Sequence, residues 1–220
     1  MADGSALCSF VKPQNLFLPR HPFHPLYLNH LSQKECDRMK LVLLSELETF
    51  DAETGDINVI IETPRGSRNK FKYDAKRDLF SLHKVLPAGA VFPQDFGFIP
   101  STLGADGDPM DVLVLMDEPV YPGNLITARL IGVIEAEQTD DGKLLRNDRL
   151  IAVASLCQDY QNVKELDDLD KNLVTQIEHF FISYNQIAGK KFKPIGRPNA
   201  KQAMKLLEEG RKRFSNDQAS

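Results

Sequence analysis

Residues 106–116 read DGDPMDVLVLM, three aspartates inside six residues followed at once by an apolar run. Asp-Gly and Asp-Pro are common turn dipeptides, so a solvated bend is the plain reading. VLVLM, however, is apolar at successive positions, as suits a strand buried on both faces. Asp111 then stands at the mouth of a buried strand, where an uncompensated carboxylate is costly and a cation should be waiting. Gly107 permits an unusual dihedral and Pro109 fixes one, a combination that can turn Asp106, Asp108 and Asp111 toward a common point.

Outward from that strand, INVII (57–61), KFKY (70–73), LFSL (79–82), LITARLIGVI (125–134) and LIAVA (150–154) are short apolar runs bounded by Gly, Pro, Asp or Asn. Such a density of short strands predicts a small barrel or sandwich. Beyond it, Leu173, Ile177, Phe180, Phe181, Tyr184 and Ile187 form one helical stripe ending near Gly189, and Asn199 with Gln202 opens a last helix. Upstream, Ser32 and Glu35 have the spacing of a capping box, and Cys36, Met39, Leu43, Leu47 and Phe50 predict a helix over 32–50 behind an irregular arm containing PRHPFHP. The class is α+β, with residues 1–54 an arm and helix and 55–215 the main domain.

Composition narrows the function. The chain has 220 residues, 42% hydrophobic and 26% charged, enough for one packed domain. A net charge of -4 gives no overall basic footprint for nucleic acid, so an anionic ligand must be met by local cations. Cys8, Cys36 and Cys157 are far apart and lack zinc spacing. No membrane-length apolar run and no signal-peptide pattern occur, so a soluble, cytoplasmic protein is expected. GxxxxGK[ST], GxGxxG and GxSxG are all missing, which leaves nucleotide-fold and serine-hydrolase readings without their signatures.

The acidic cluster is not an EF-hand: counted from Asp106, the sixth position holds Asp111 in place of Gly and the twelfth Asp117 in place of Glu. Hard oxygen ligands without His or Cys favour magnesium or manganese, and magnesium usually keeps several waters while sharing a phosphate substrate. Phosphoryl chemistry also needs cations, and IETPRGSRNKFK sets Glu62, Arg65, Arg68, Lys70 and Lys72 within eleven residues. Glu62 reads as a metal ligand or as a salt-bridge partner of those bases. His21, His24, His30, His83 and His179 show no ligand pattern, and Tyr184 shares a helical face with Phe180 and Ile187 as a core tyrosine does.

DGDPMDVLVL resembles the signature of the soluble family I inorganic pyrophosphatases, together with IETPRGSRNK, FPQDFGFIPST, EPVYPGNLITARLIGVI and HFFISY in that order. The resemblance covers roughly residues 57–190. It implies a five-stranded OB-like barrel with flanking helices, magnesium dependence, pyrophosphate as substrate and a homo-oligomer, hexamer or dimer. It implies that Asp106 and Asp111 are metal ligands, that Asp108 lies next to the attacking water, and that Glu62 serves a further metal. Lys70 and Tyr184 match phosphate-binding positions, and Lys84 and Arg149 supply further positive charge.

The sequence departs from the family pattern at several of these positions. Lys72 stands where the family has an acid, Lys84 where it has an arginine, Phe96 where it has a tyrosine, and Asn185 where it has a lysine. A metal-ligand position holds Asn147, with Asp148 beside it as a substitute, while Asp140 or Asp141 can supply a remaining acid. Two rivals follow: a hydrolase of another small phosphoanhydride or polyphosphate, and a non-catalytic metal- and phosphate-binding module.

Overall fold

The computed structural model describes residues 43–140 and 142–219, the side chain of Asp140 excepted. Five strands close into a ring: β1 (Ile57–Thr63), β4 (Asp95–Ile99), β5 (Met110–Leu115), β8 (Arg149–Ala154) and β6 (Leu125–Asp140), which returns to β1. All contacts in the ring are antiparallel except β5 with β8. The far half of β6 also pairs with β7 (Lys143–Arg146) and β9 (Lys191–Gly196). A separate hairpin joins β2 (Asn69–Asp74) to β3 (Leu79–Val85). The chain is completed by α1 (Lys171–Ile187) and α2 (Ala200–Gln218).

The expected α+β class with a small OB-like barrel holds. β1 is buried at all seven positions and β8 at all six, which is why Val59–Ile61 and Leu150–Ala154 are unbroken apolar runs instead of alternating ones. Each such Val, Ile or Leu contributes roughly 1.5–3 kcal/mol when fully buried. Gly97 permits the close crossing of β4 over β1, since a Cβ there would overlap the carbonyl oxygen of Ile60. Both helices begin at side-chain caps, Asp170 accepting from the Asn172 N–H (2.7 Å) and Asn199 from the Gln202 N–H (3.2 Å). α1 buries Val174, Ile177, Phe181 and Asn185, a stripe that omits the predicted Ile187, which is exposed.

Most of the helix predicted over 32–50 lies outside the described residues, and its last part is not helical. Leu44–Glu46 form a single 3-10 turn, after which the chain runs extended. The Asn58 N–H donates to Thr49 O (2.8 Å), the Asn58 amide to Glu48 O (2.9 Å), and Phe50 bridges Ile57. Hydrogen bonds to the start of β1 outweigh local helical spacing there.

Candidate active site

The loop between β4 and β5 carries the acidic cluster and is pinned at both ends. The Met110 N–H donates to the Thr102 hydroxyl (3.0 Å), which donates to Ile99 O (2.6 Å), and the Gly104 N–H donates to Asp108 O (2.7 Å). Gly107 has φ +87°, the left-handed backbone its sequence suggested. Behind the loop, Gly210 of α2 lets the helix close on Met110, where a Cβ would strike the Met110 sulfur.

A cavity of about 390 Å³ gathers Glu62, Asp106, Asp108 and Asp111 with Lys70, Lys72, Lys84, Arg149 and Tyr184. Eight of the nine candidate residues named from sequence meet here. Asp148 is the ninth, and it lines an adjoining cavity that shares Asp106, Asp111 and Asn147. Its carboxylate accepts from the Ala136 N–H (2.9 Å) and pairs with Arg146 (3.0 Å). Asp141 and the Asp140 side chain lie outside the described residues.

Each acid has its own environment. Glu62 is buried at the end of β1, where one oxygen accepts the Tyr73 N–H (2.8 Å). Burial pushes its carboxyl up to about 7, and the charge of Asp111 adds to this, while the Tyr73 N–H, Lys70 and Lys72 oppose it. Asp106 is raised by burial and then by Asp111. Asp111 pairs with Arg149 (2.8 Å), the cation its position demanded. Asp108 pairs with the Lys72 ammonium (2.8 Å) near the surface. Burial opposes the Lys72 charge, but the hydrogen bond and charge of Asp108 outweigh it and raise its pKa.

The cations are seated on rings. Lys70 lies over Phe96 (5.3 Å) and Tyr184 (5.4 Å), and Lys84 over Tyr184 (4.8 Å). The Arg149 guanidinium stacks on Phe181 (5.0 Å), donates to the Asn147 side chain and to Asp148 O (3.0 Å), and keeps a buried Nε–H without a partner. Arg65 and Arg68, counted among the local bases in the sequence, are used for structure: Arg65 donates to Met116 O and Asp117 O, Arg68 to Leu86 O.

Among the polar residues lining the cavity, Gln138, His83 and Lys190 are not singled out by the sequence. Gln138 accepts from the Asn147 amide (3.0 Å), and continued alternation of β6 past Ile134 was the signal for it. His83 also lines the cavity, and its pKa is lowered by burial and then by Lys70, Lys72 and Lys84.

The family model for inorganic pyrophosphatase matches residues 59–215, most of the chain. The protein belongs to the inorganic pyrophosphatase family. An inorganic pyrophosphatase of Synechocystis sp. is 38% identical over 157 residues, 71% of this chain and 90% of that one. One from Halalkalibacterium halodurans is 38% identical over 153 residues, 70% and 91% of the two chains. The crystal structure of the Thermus thermophilus inorganic pyrophosphatase superposes with TM-score 0.73 at 32% identity, covering 79% of this chain and 99% of that one.

Within the family frame, the departures from its pattern concentrate in this cavity. Lys72, Lys84, Asn147 and Asn185 line it, and Phe96 is buried beneath Lys70. Among the described residues no three His, Cys, Asp or Glu side chains come together tightly enough to cage an ion. Asp106 and Asp111 line both cavities, so the donor set fits a divalent ion that keeps most of its waters and shares phosphate oxygens.

Proposed function

We propose that the protein hydrolyses inorganic pyrophosphate to two phosphates with magnesium, or manganese, as cofactor. The observation that carries this is one cavity in a pyrophosphatase-family fold where four carboxylates face Lys70, Lys84, Arg149 and Tyr184. Residues 55–215 form the catalytic domain. Asp106 and Asp111, with Glu62 and Asp148 to either side, are the ligands for divalent ions. When bound, such an ion supplies Lewis acidity that lowers the pKa of a neighbouring water and offsets phosphate charge.

This chain's residues do the rest. Asp108 accepts the proton of the attacking water as its oxygen bonds to one phosphorus, and the bridging P–O bond breaks so that the bridging oxygen leaves on the second phosphate. Lys70, Lys84 and Arg149 neutralise the charge gathering on that leaving group, and the Tyr184 hydroxyl donates to a phosphate oxygen. Copies of the chain associate as a dimer or hexamer in the cytoplasm. Exposed Tyr121, Leu125 and Leu156 support association, and among the described residues no helix is long and apolar enough to cross a membrane.

Phosphate release from pyrophosphate, tripolyphosphate and nucleoside triphosphates, each with magnesium and with chelator, tests the reading. Pyrophosphate with magnesium should be turned over fastest, and Asp108→Asn should lower that rate by about 10²–10⁴-fold with an unchanged circular dichroism spectrum. Faster release from tripolyphosphate would move the substrate to a longer anhydride. Binding of pyrophosphate without release would make the protein a binding module.

A further inference from the structure

We propose that the Lys72 ammonium takes the place of a divalent ion beside Asp108, so that the cavity recruits one metal ion fewer than its carboxylates would otherwise hold. The inference rests on reading the cavity as a phosphoanhydride site, and it concerns how that site is neutralised before substrate arrives.

The observations converge on an internally compensated cavity. Lys72 Nζ lies 2.8 Å from Asp108 Oδ2, and Arg149 lies 2.8 Å from Asp111 Oδ2. At the next position along the wall, two neutral amides, Asn147 and Gln138, are hydrogen-bonded to each other. One oxygen of Glu62 is occupied by the Tyr73 N–H. Among the described residues Lys70, Lys72, Lys84 and Arg149 match Glu62, Asp106, Asp108 and Asp111 in number along the same walls. A cavity with that balance gives a divalent ion little net attraction of its own.

Geometry singles out Lys72 among these cations. Lys70 and Lys84 rest on aromatic rings and make no ion pair among the described residues, which leaves both ammoniums for phosphate oxygens. Arg149 is nearly buried and locked by several partners. Lys72 reaches an acid that is itself half in solvent: their side chains are 41% and 56% exposed. An ammonium in contact with a carboxylate repels a divalent ion seeking the same oxygens, yet a solvated pair of this kind exchanges readily. Lys72 can therefore release Asp108 when a phosphate group offers it another anion, which couples substrate arrival to the freeing of the carboxylate beside the attacking water.

Binding of Mn²⁺ to the full-length protein, followed without substrate by electron paramagnetic resonance, tests this directly. Lys72→Met should bind Mn²⁺ about tenfold more tightly than the wild type, the scale expected for removing one adjacent like charge. Lys72→Glu should hold one additional ion. Calorimetry with imidodiphosphate in excess chelator supplies a second readout: wild type should bind this non-hydrolysable analogue, and Lys72→Met should bind it about tenfold more weakly. Equal Mn²⁺ number and affinity in all three proteins, with unchanged thermal melts, would overturn the proposal, as would analogue binding in chelator that is the same in wild type and Lys72→Met. Neither readout depends on turnover. A missing phosphate release with the Mn²⁺ shift intact would count against the hydrolase reading alone.

Discussion

The cavity's carboxylates hang on the closed barrel, whereas Lys70, Lys72 and Lys84 stand on a hairpin that, among the described residues, pairs with no other strand. Glu62 ends β1 and Asp111 lies in β5, each with ladder partners, and Asp106 and Asp108 occupy a loop closed by the Thr102 hydroxyl. Lys70 and Lys84 face each other across β2 and β3, a two-stranded sheet whose Leu79, Leu82 and Val85 are exposed. The first wall is positioned by backbone hydrogen bonds and the second by aromatic rings. Substitutions in the first should therefore disturb stability, and substitutions in the second should mainly change affinity.

Arg149→Met breaks that comparison most severely if it fails. Arg149 is nearly buried and Asp111 retains 25% of its side-chain exposure, so removal of the guanidinium leaves a partly buried carboxylate alone. Urea unfolding should show a loss near the lower end of the roughly 3–5 kcal/mol known for such pairs. Lys84→Met, on the hairpin, should change stability by no more than about 0.5 kcal/mol. Equal losses would mean that the two walls are not built differently.

Glu62→Gln is next in size and depends on pH. The folded-state pKa of Glu62 is about 7 against an ordinary 4.5, so the folded protein holds this proton more firmly than the unfolded chain. Stability is then full below the unfolded value and falls as pH rises through the folded one. In chelator, the glutamine variant should match wild type at about pH 4 and exceed it at about pH 8 by up to roughly 3 kcal/mol, at about 1.4 kcal/mol for each tenfold difference in proton affinity between the folded and unfolded chains. Gln keeps an acceptor for the Tyr73 N–H, so the difference isolates the charge. A pH-independent difference would remove burial as the cause.

The barrel was legible wherever a strand is buried along its whole length, because runs such as INVII and VLVLM have no other plausible setting. β4 was missed since DFGFI is short, holds Gly97 and sits between prolines. β9 contains Pro194 and belongs to the barrel's margin, where a missing N–H is tolerated. β7 is charged at both ends. Chain order brought eight of the nine candidate residues to one cavity, but it could not tell that Arg65 and Arg68 turn to backbone carbonyls while Lys70 and Lys72 turn inward. That choice is made by packing against segments well removed along the chain. Nor does sequence spacing distinguish Asp148, engaged by Arg146 and the Ala136 N–H, from Asn147, which reaches the main cavity.

Tyr184 offers the smallest effect and the sharpest view of the cationic wall. Its ring lies under both Lys70 (5.4 Å) and Lys84 (4.8 Å) and stacks on Phe180 (5.8 Å). Tyr184→Phe keeps that platform and removes one hydroxyl, so pyrophosphate KM should rise by about 2–10-fold, the equivalent of one ordinary hydrogen bond. Tyr184→Leu removes the platform as well. With about 0.5–1 kcal/mol lost per cation–ring contact, its KM should rise roughly a further 5–30-fold, while urea stability falls little more than for other partly exposed aromatic positions. The two variants separate a hydroxyl that touches substrate from a ring that aims two ammoniums. If leucine and phenylalanine behaved alike, the lysines would be held by the hairpin itself, and the ring would belong to the core packing of α1 alone.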